Sequence, residues 1–169
     1  MTSLRAMATG MPTMEATTYT TPSDLEIAFA RVFDAPRQRV FDAWTSPEVV
    51  PHWIMAPDGW TMTVCDIDLR PGGAWRFEWR GRDGALMGMG GVYQEVVPGE
   101  RLVSTESWGG HWPDTLNTLV VREEGGRTAI TNTVRYPTRE ARDAALATGM
   151  ARGVEASHDR LAEHLRTRA

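Results

Sequence analysis

The first regular alternation of apolar and polar positions begins at Leu25. Leu25, Ile27, Phe29 and Phe33 share one strand face, with Glu26 on the other. Asp34-Ala35-Pro36 ends this strand, and Pro36 suits the first position of a helix, where its missing N–H costs nothing. Val40, Phe41 and Trp44 then form one apolar stripe. Thr45-Ser46-Pro47-Glu48 repeats the start signal, with Ser46 as N-cap, and predicts a second short helix ending near Trp53. Six further strands follow, separated by Gly and Pro: 60–69, 74–80, 85–97, 101–108, 115–123 and 127–136. The 74–80 strand is the clearest, because Trp75, Phe77 and Trp79 alternate strictly with Arg76, Glu78 and Arg80. Asp83-Gly84 is the hairpin turn that follows it.

The chain closes in helix. Thr138 is a candidate N-cap, and the period of 3.6 continues to about Arg166, a rod of about 42 Å at 1.5 Å per residue. Gly149 is expected to bend it or split off its first turns. Met150, Val154, His158, Leu161 and Leu165 form the apolar stripe, while Arg152, Glu155, Asp159, Glu163 and Arg166 cover the wet side. Residues 1–23 show no period of either kind and read as a flexible N-terminal tail, with Met7, Met11 and Met14 able to fold back on an apolar mouth. One domain, 24–169, remains. Its class is α+β: a seven-stranded curved antiparallel sheet, two short helices after the first strand, and a long C-terminal helix that the sheet grips. A terminal amphipathic helix covers the sheet's apolar face with a single element.

Composition narrows the function classes. The formal charge is −4 with no basic block, so no nucleic-acid partner is expected. All 18 basic residues are Arg, scattered along the chain, a pattern of GC-rich bacterial codon usage rather than of an anion site. No stretch approaches the roughly 18 apolar residues of a membrane span, and Arg5 is followed by no continuous apolar core, so neither membrane insertion nor a secretory leader is expected. Cys65 is the single cysteine, consistent with a reducing cytoplasm, and its parity with Ile67 and Leu69 suggests a buried, inert thiol. Phosphate loops, dinucleotide fingerprints and serine-hydrolase elbows do not occur; Gly88-Met89-Gly90-Gly91 lies inside a strand pattern. No cofactor is implied. His52 and His111 lack a third metal ligand at suitable spacing, so no metal site is expected.

The chain resembles the START-like (SRPBCC) superfamily, specifically bacterial proteins similar to the C-terminal domain of the activator of the heat-shock-90 chaperone ATPase. The resemblance is carried by Arg31-Val32-Phe33-Asp34-Ala35-Pro36, Val40-Phe41-Asp42-Ala43-Trp44-Thr45 with Pro47-Glu48, and Asp68-Leu69-Arg70-Pro71-Gly72-Gly73. It continues through Trp75-Arg76-Phe77, Asp83-Gly84, Val96-Val97-Pro98 with Arg101-Leu102, Thr148-Gly149-Met150 with Gly153, and Asp159-Arg160-Leu161. Many relatives carry Trp where Val154 stands, so this chain is expected to have the larger pocket. The superfamily includes lipid carriers, polyketide cyclases, dehydratases, sequestering resistance proteins and co-chaperones, so function has to be argued from the site.

Seven Trp and nine Met supply the candidate wall of an internal cavity. The ligand-contact candidates are Trp44, Trp53, Trp75, Phe77, Trp79, Met87, Met89, Tyr93, Trp108, Trp112, Asn117, Met150, Val154 and His158. Asn132 is a further polar candidate. Glu106 and His158 are the candidate acid–base pair should chemistry occur. Residues His111 to Asp114 form a loop able to gate the mouth, and the ridge Gly149, Gly153, Ser157 leaves room beside the terminal helix. The leading reading is binding of a small hydrophobic, aromatic or polyketide-like, molecule in the cytoplasm. A cyclase or dehydratase is the second reading, and a heat-shock-90 co-chaperone the third. Dimerisation through a sheet edge or helix face is open to such a domain, and no specific residue signals it.

Overall fold

The structure is a computed structural model and describes residues 16–54 and 56–168. Eight antiparallel strands form one sheet in the order β1-β2-β8-β7-β6-β5-β4-β3. The strands are β1 (Thr18–Thr20), β2 (Glu26–Phe33), β3 (Thr61–Ile67), β4 (Ala74–Arg80), β5 (Leu86–Val97), β6 (Arg101–Glu106), β7 (Thr115–Glu124) and β8 (Arg127–Arg135). Helix α1 (Arg37–Thr45) and a 3₁₀ turn (Val50–His52) connect β2 to β3 at the far edge; α2 (Arg139–Ala147) and α3 (Met150–Thr167) end the chain.

Three expectations need correction. The sheet has eight strands, because Thr18–Thr20, within the stretch read as a tail, pairs with Ala28–Ala30 of β2. Three β-branched or aromatic residues suit an edge but are too few to show a period. Met7, Met11 and Met14 lie outside the described residues. The second short helix is a single 3₁₀ turn: the Ser46 carbonyl accepts from the backbone N–H groups of Val49 and Val50 at 3.0 Å, and no α-helix forms. The terminal rod is split at the glycine, as expected. Gly149 takes φ 79°, a left-handed conformation that disfavours any side chain, and separates α2 from α3. The N-cap of α2 is as expected: the Ala141 N–H donates to Thr138 Oγ1 at 3.1 Å. Pro36 precedes α1 as its N-cap residue instead of occupying the first turn.

The core lies between the concave sheet face and the helices, in two clusters. Phe33, Val40, Phe41, Val50, Leu161 and Leu165 belong to the larger, where α1 and the 3₁₀ turn meet the C-terminal half of α3. Ile27, Phe29, Val134, Tyr136 and Ala145 form the smaller, beneath α2. Full burial of a Leu or Phe contributes about 1.5–3 kcal/mol, so these clusters hold the helices on the sheet. Cys65 is only half-buried at the β3 edge, yet burial, with Asp66 adding to it, pushes its thiol up to about 11 and keeps it protonated. Leu69, which shares its parity, lies in the exposed turn after β3. Among the described residues no helix is long and apolar enough to cross a membrane.

Candidate functional site

Strand register builds one wall of the site. Trp75, Phe77 and Trp79 point inward from β4 and are buried, while Arg76 and Arg80 point outward and are exposed. They pair with Gly91, Met89 and Met87 of β5, so aromatic rings and thioethers alternate over the concave face. The Trp75 and Phe77 rings lie 4.9 Å apart, and Phe77 meets Trp79 edge-on at 6.3 Å. Gly91 is required here. A Cβ would collide with the Thr105 carbonyl oxygen and lie 2.9 Å from Trp75 Nε1, which crosses this position. That indole N–H is buried without a partner among the described residues.

The wall continues across the sheet. Tyr93, Ser104, Asn117 and Val134 occupy successive paired positions on β5, β6, β7 and β8. Opposite them stand Met150, Gly153, Val154, Ser157 and His158 of α3, with Trp44 and Trp53 closing one end. The Trp44 and Trp53 rings are 4.6 Å apart, and Trp53 Nε1 donates to the Ala43 carbonyl at 2.9 Å. Between sheet and helix is a cavity of about 520 Å³. Every ligand-contact candidate from Trp44 to His158 lines it, and so do Glu106 and Asn132. A Cβ on Gly153 would meet nothing within 4 Å, so the missing volume there is open space and not a close approach of helix to sheet. The ridge is interrupted, however, because Gly149 belongs to the left-handed break and does not line the cavity.

His158 is 3% exposed, ringed by Phe33, Trp44 and Trp53 at centroid distances of 6.0, 5.9 and 6.5 Å. Its Nδ1 lies 2.9 Å from Thr17 Oγ1, and Arg31 Nη1 donates to that same oxygen at 3.4 Å. The Thr17 hydroxyl thus links the imidazole to the guanidinium, accepting from Arg31 and sharing one hydrogen bond with Nδ1 whose direction follows the ring tautomer. Burial and the Arg31 charge push the imidazole down to about 4, against the opposing pull of Asp159, so it is neutral at physiological pH. Arg31 is itself buried, pairs with exposed Asp159 at 2.6 Å and faces the Phe33 ring at 5.6 Å.

Glu106 stands elsewhere on the wall. Its Oε1 accepts from Trp108 Nε1 at 2.7 Å and its Oε2 from Asn117 Nδ2 at 3.2 Å. Burial raises this carboxyl above the ordinary range, against the lowering by those two donors. Among the described residues Glu106 and His158 share no hydrogen-bond partner, and both line the cavity. Each is a separate polar point in an apolar chamber. Burial also raises the phenols of Tyr93 and Tyr136 to about 12, with smaller contributions from Cys65 and Glu106 respectively.

Trp108 and Trp112 are exposed and line the cavity, which makes the 107–114 loop its mouth. The Trp108 ring lies nearly parallel to Trp79, 5° between planes and 6.3 Å between centroids. His111 stays on the outside, 4.8 Å from the Trp112 ring, and His52 stacks on His164 at 5.7 Å. Among the described residues no group of three His, Cys, Asp or Glu side chains is placed to hold a metal. The strand readings omit Ser104 and Tyr136, although both continue an inward parity, and they omit Arg31 and Thr17. No local pattern signals those two, because Arg31 pairs with Asp159 128 residues on and Thr17 meets His158 141 residues on.

An antiparallel sheet curled against a terminal helix over an apolar chamber defines the START-like, helix-grip class. Within it, residues 34–166 match the family described as Activator of Hsp90 ATPase homolog 1-like protein, and the chain belongs to that family. A crystal structure of a protein from Rhodobacter sphaeroides is similar at 32% identity, covering 89% of this chain and 98% of that one, with a TM-score of 0.82. Protein Ms6760 from Mycobacterium smegmatis, at 22% identity, shares the fold with a TM-score of 0.77 over 89% of this chain and 96% of its own. The AHSA1-like protein from Aeromonas hydrophila shares it at 20% identity and a TM-score of 0.67, over 83% and 95%. No curated protein matches the chain.

Proposed function

We propose that the protein binds and sequesters a small hydrophobic molecule, aromatic or polyketide-like, between its sheet and α3. The observation that carries this reading is the chamber of about 520 Å³ walled by indoles, phenyl rings and thioethers. Its size falls within the roughly 300–1,000 Å³ typical of small-molecule sites. Rigid rings offer flat apolar faces at low entropic cost, and Met87, Met89 and Met150 adapt to an irregular outline. A guest burying about 300 Å² of apolar surface gains roughly 7 kcal/mol at about 25 cal/mol/Å², before the cost of association. The test is native mass spectrometry of freshly purified protein, followed by titration of its Trp fluorescence with apolar aromatics. The expected result is a stoichiometric adduct, quenching that saturates, and recovery of the guest unchanged. Failure of every such probe to bind up to its solubility limit would overturn the reading.

A further inference from the structure

We propose that the guest is an organic cation: an aromatic or alicyclic amine whose protonated nitrogen pairs with Glu106 while its apolar body lies along the indole wall. The inference rests on the small-molecule reading above and narrows its chemistry. It comes from the charge inventory of the chamber. Among the described residues Glu106 is the only carboxyl on the wall, and no Arg lines it; the chain contains no Lys at all.

Glu106 takes part in none of the ion pairs among the described residues. Its two donors, the Trp108 indole and the Asn117 amide, are neutral. They fix the carboxylate in place and use one lone pair on each oxygen, which leaves accepting capacity on both. Burial disfavours the ionised form of a carboxyl that lacks a counter-ion, and a bound cation restores it.

The surroundings favour the same sign. Trp108 meets Glu106 through its N–H edge and lies nearly parallel to Trp79, so the negative faces of two indoles belong to the same wall as the acid. A carboxylate guest would meet like charge in a low-dielectric wall, and a neutral guest would leave the acid uncompensated. Only an ammonium or amidinium gains from Coulomb attraction, charge-assisted hydrogen bonding and the rings together.

Three probes of one shape separate these cases: 2-naphthylmethylamine, 2-naphthylmethanol and 2-naphthoic acid, titrated calorimetrically into the intact chain at neutral pH and low salt. The amine is expected to bind at least about tenfold more tightly than the alcohol, and the acid most weakly. In E106Q the amine's advantage over the alcohol is expected to vanish, and in E106D to persist in part. Alcohol binding as tight as amine binding in the unmodified protein overturns the cation proposal and leaves the small-molecule reading standing. An amine advantage that survives E106Q overturns it as well, since the cation then sits elsewhere. If none of the three binds, the small-molecule reading itself fails and the proposal with it.

Discussion

The two halves of α3 face the same concave sheet with the same amphipathic spacing, and only one of them fills the space beneath it. In the C-terminal half Leu161 is fully buried and Leu165 nearly so, packed with Phe33, Val40, Phe41 and Val50. In the N-terminal half the inward positions are Met150, Gly153, Val154 and Ser157, and a chamber of about 520 Å³ remains. The sheet differs too, since Ser104, Asn117 and Asn132 stand among the rings that line the open half. Small side chains on both layers, Gly153 and Ser157 on the helix and Ser104 on the sheet, therefore leave the space: the cavity is made by subtraction. His158 sits at the seam, buried among rings of the packed half and lining the open one.

If that contrast is right, deletion in the packed half costs most. Leu161→Ala is expected to destabilise by about 2–5 kcal/mol, read as a lower denaturant midpoint at unchanged slope. A loss below about 1 kcal/mol would mean the packed half is no tighter than the open one. The seam comes next. The unfolded chain takes up a proton on His158 as pH falls below 6.5, whereas the folded imidazole resists until about 4. Stability linked to this group is thus complete above pH 6.5 and drains away as pH falls to 4. At about 1.4 kcal/mol per pH unit, the unmodified protein should lose roughly 3 kcal/mol more than His158→Gln across that window. Parallel pH profiles for the two proteins would show that the histidine is solvated.

Two changes in the open half should have small energetic effects. Val154→Trp adds volume where the chamber has room. It is expected to weaken naphthyl binding about tenfold or more while moving the unfolding free energy by less than about 1 kcal/mol. Severe destabilisation would show that no room exists beside Val154. The smallest effect belongs to Gly153→Ala. Its new Cβ meets nothing within 4 Å, so the helix gains about 0.5–1 kcal/mol of propensity with little change in binding.

The sheet's inner wall was legible because a strand's period of two sorts side chains without knowledge of what they face. Trp75, Phe77 and Trp79 declare their side by alternating with charged residues, and Gly153 betrays open space by its cost in a helix. Three features escaped. Thr18–Thr20 is too short to show a period, and only the unpaired edge of β2 gives it a reason to be a strand. Arg31 sits at an inward position between Phe29 and Phe33, an apparent break in the pattern that Thr17, 14 residues before it, and Asp159, 128 residues after it, resolve. Periodicity directs both Glu106 and His158 inward, but it carries no partners, so it could not show that Trp108 and Asn117 hold the one and Thr17 the other.

The two flanks of the sheet share one property with a consequence for crowding. On one side β1 offers three residues; on the other, β3 shifts register between Met62 and Val64 and turns an aspartate, Asp66, to solvent. A stranger's backbone seeking a continuous ladder meets a stub at the first flank and a kinked, charged rail at the second. Zipper-like growth of copy upon copy is therefore offered little template at either margin.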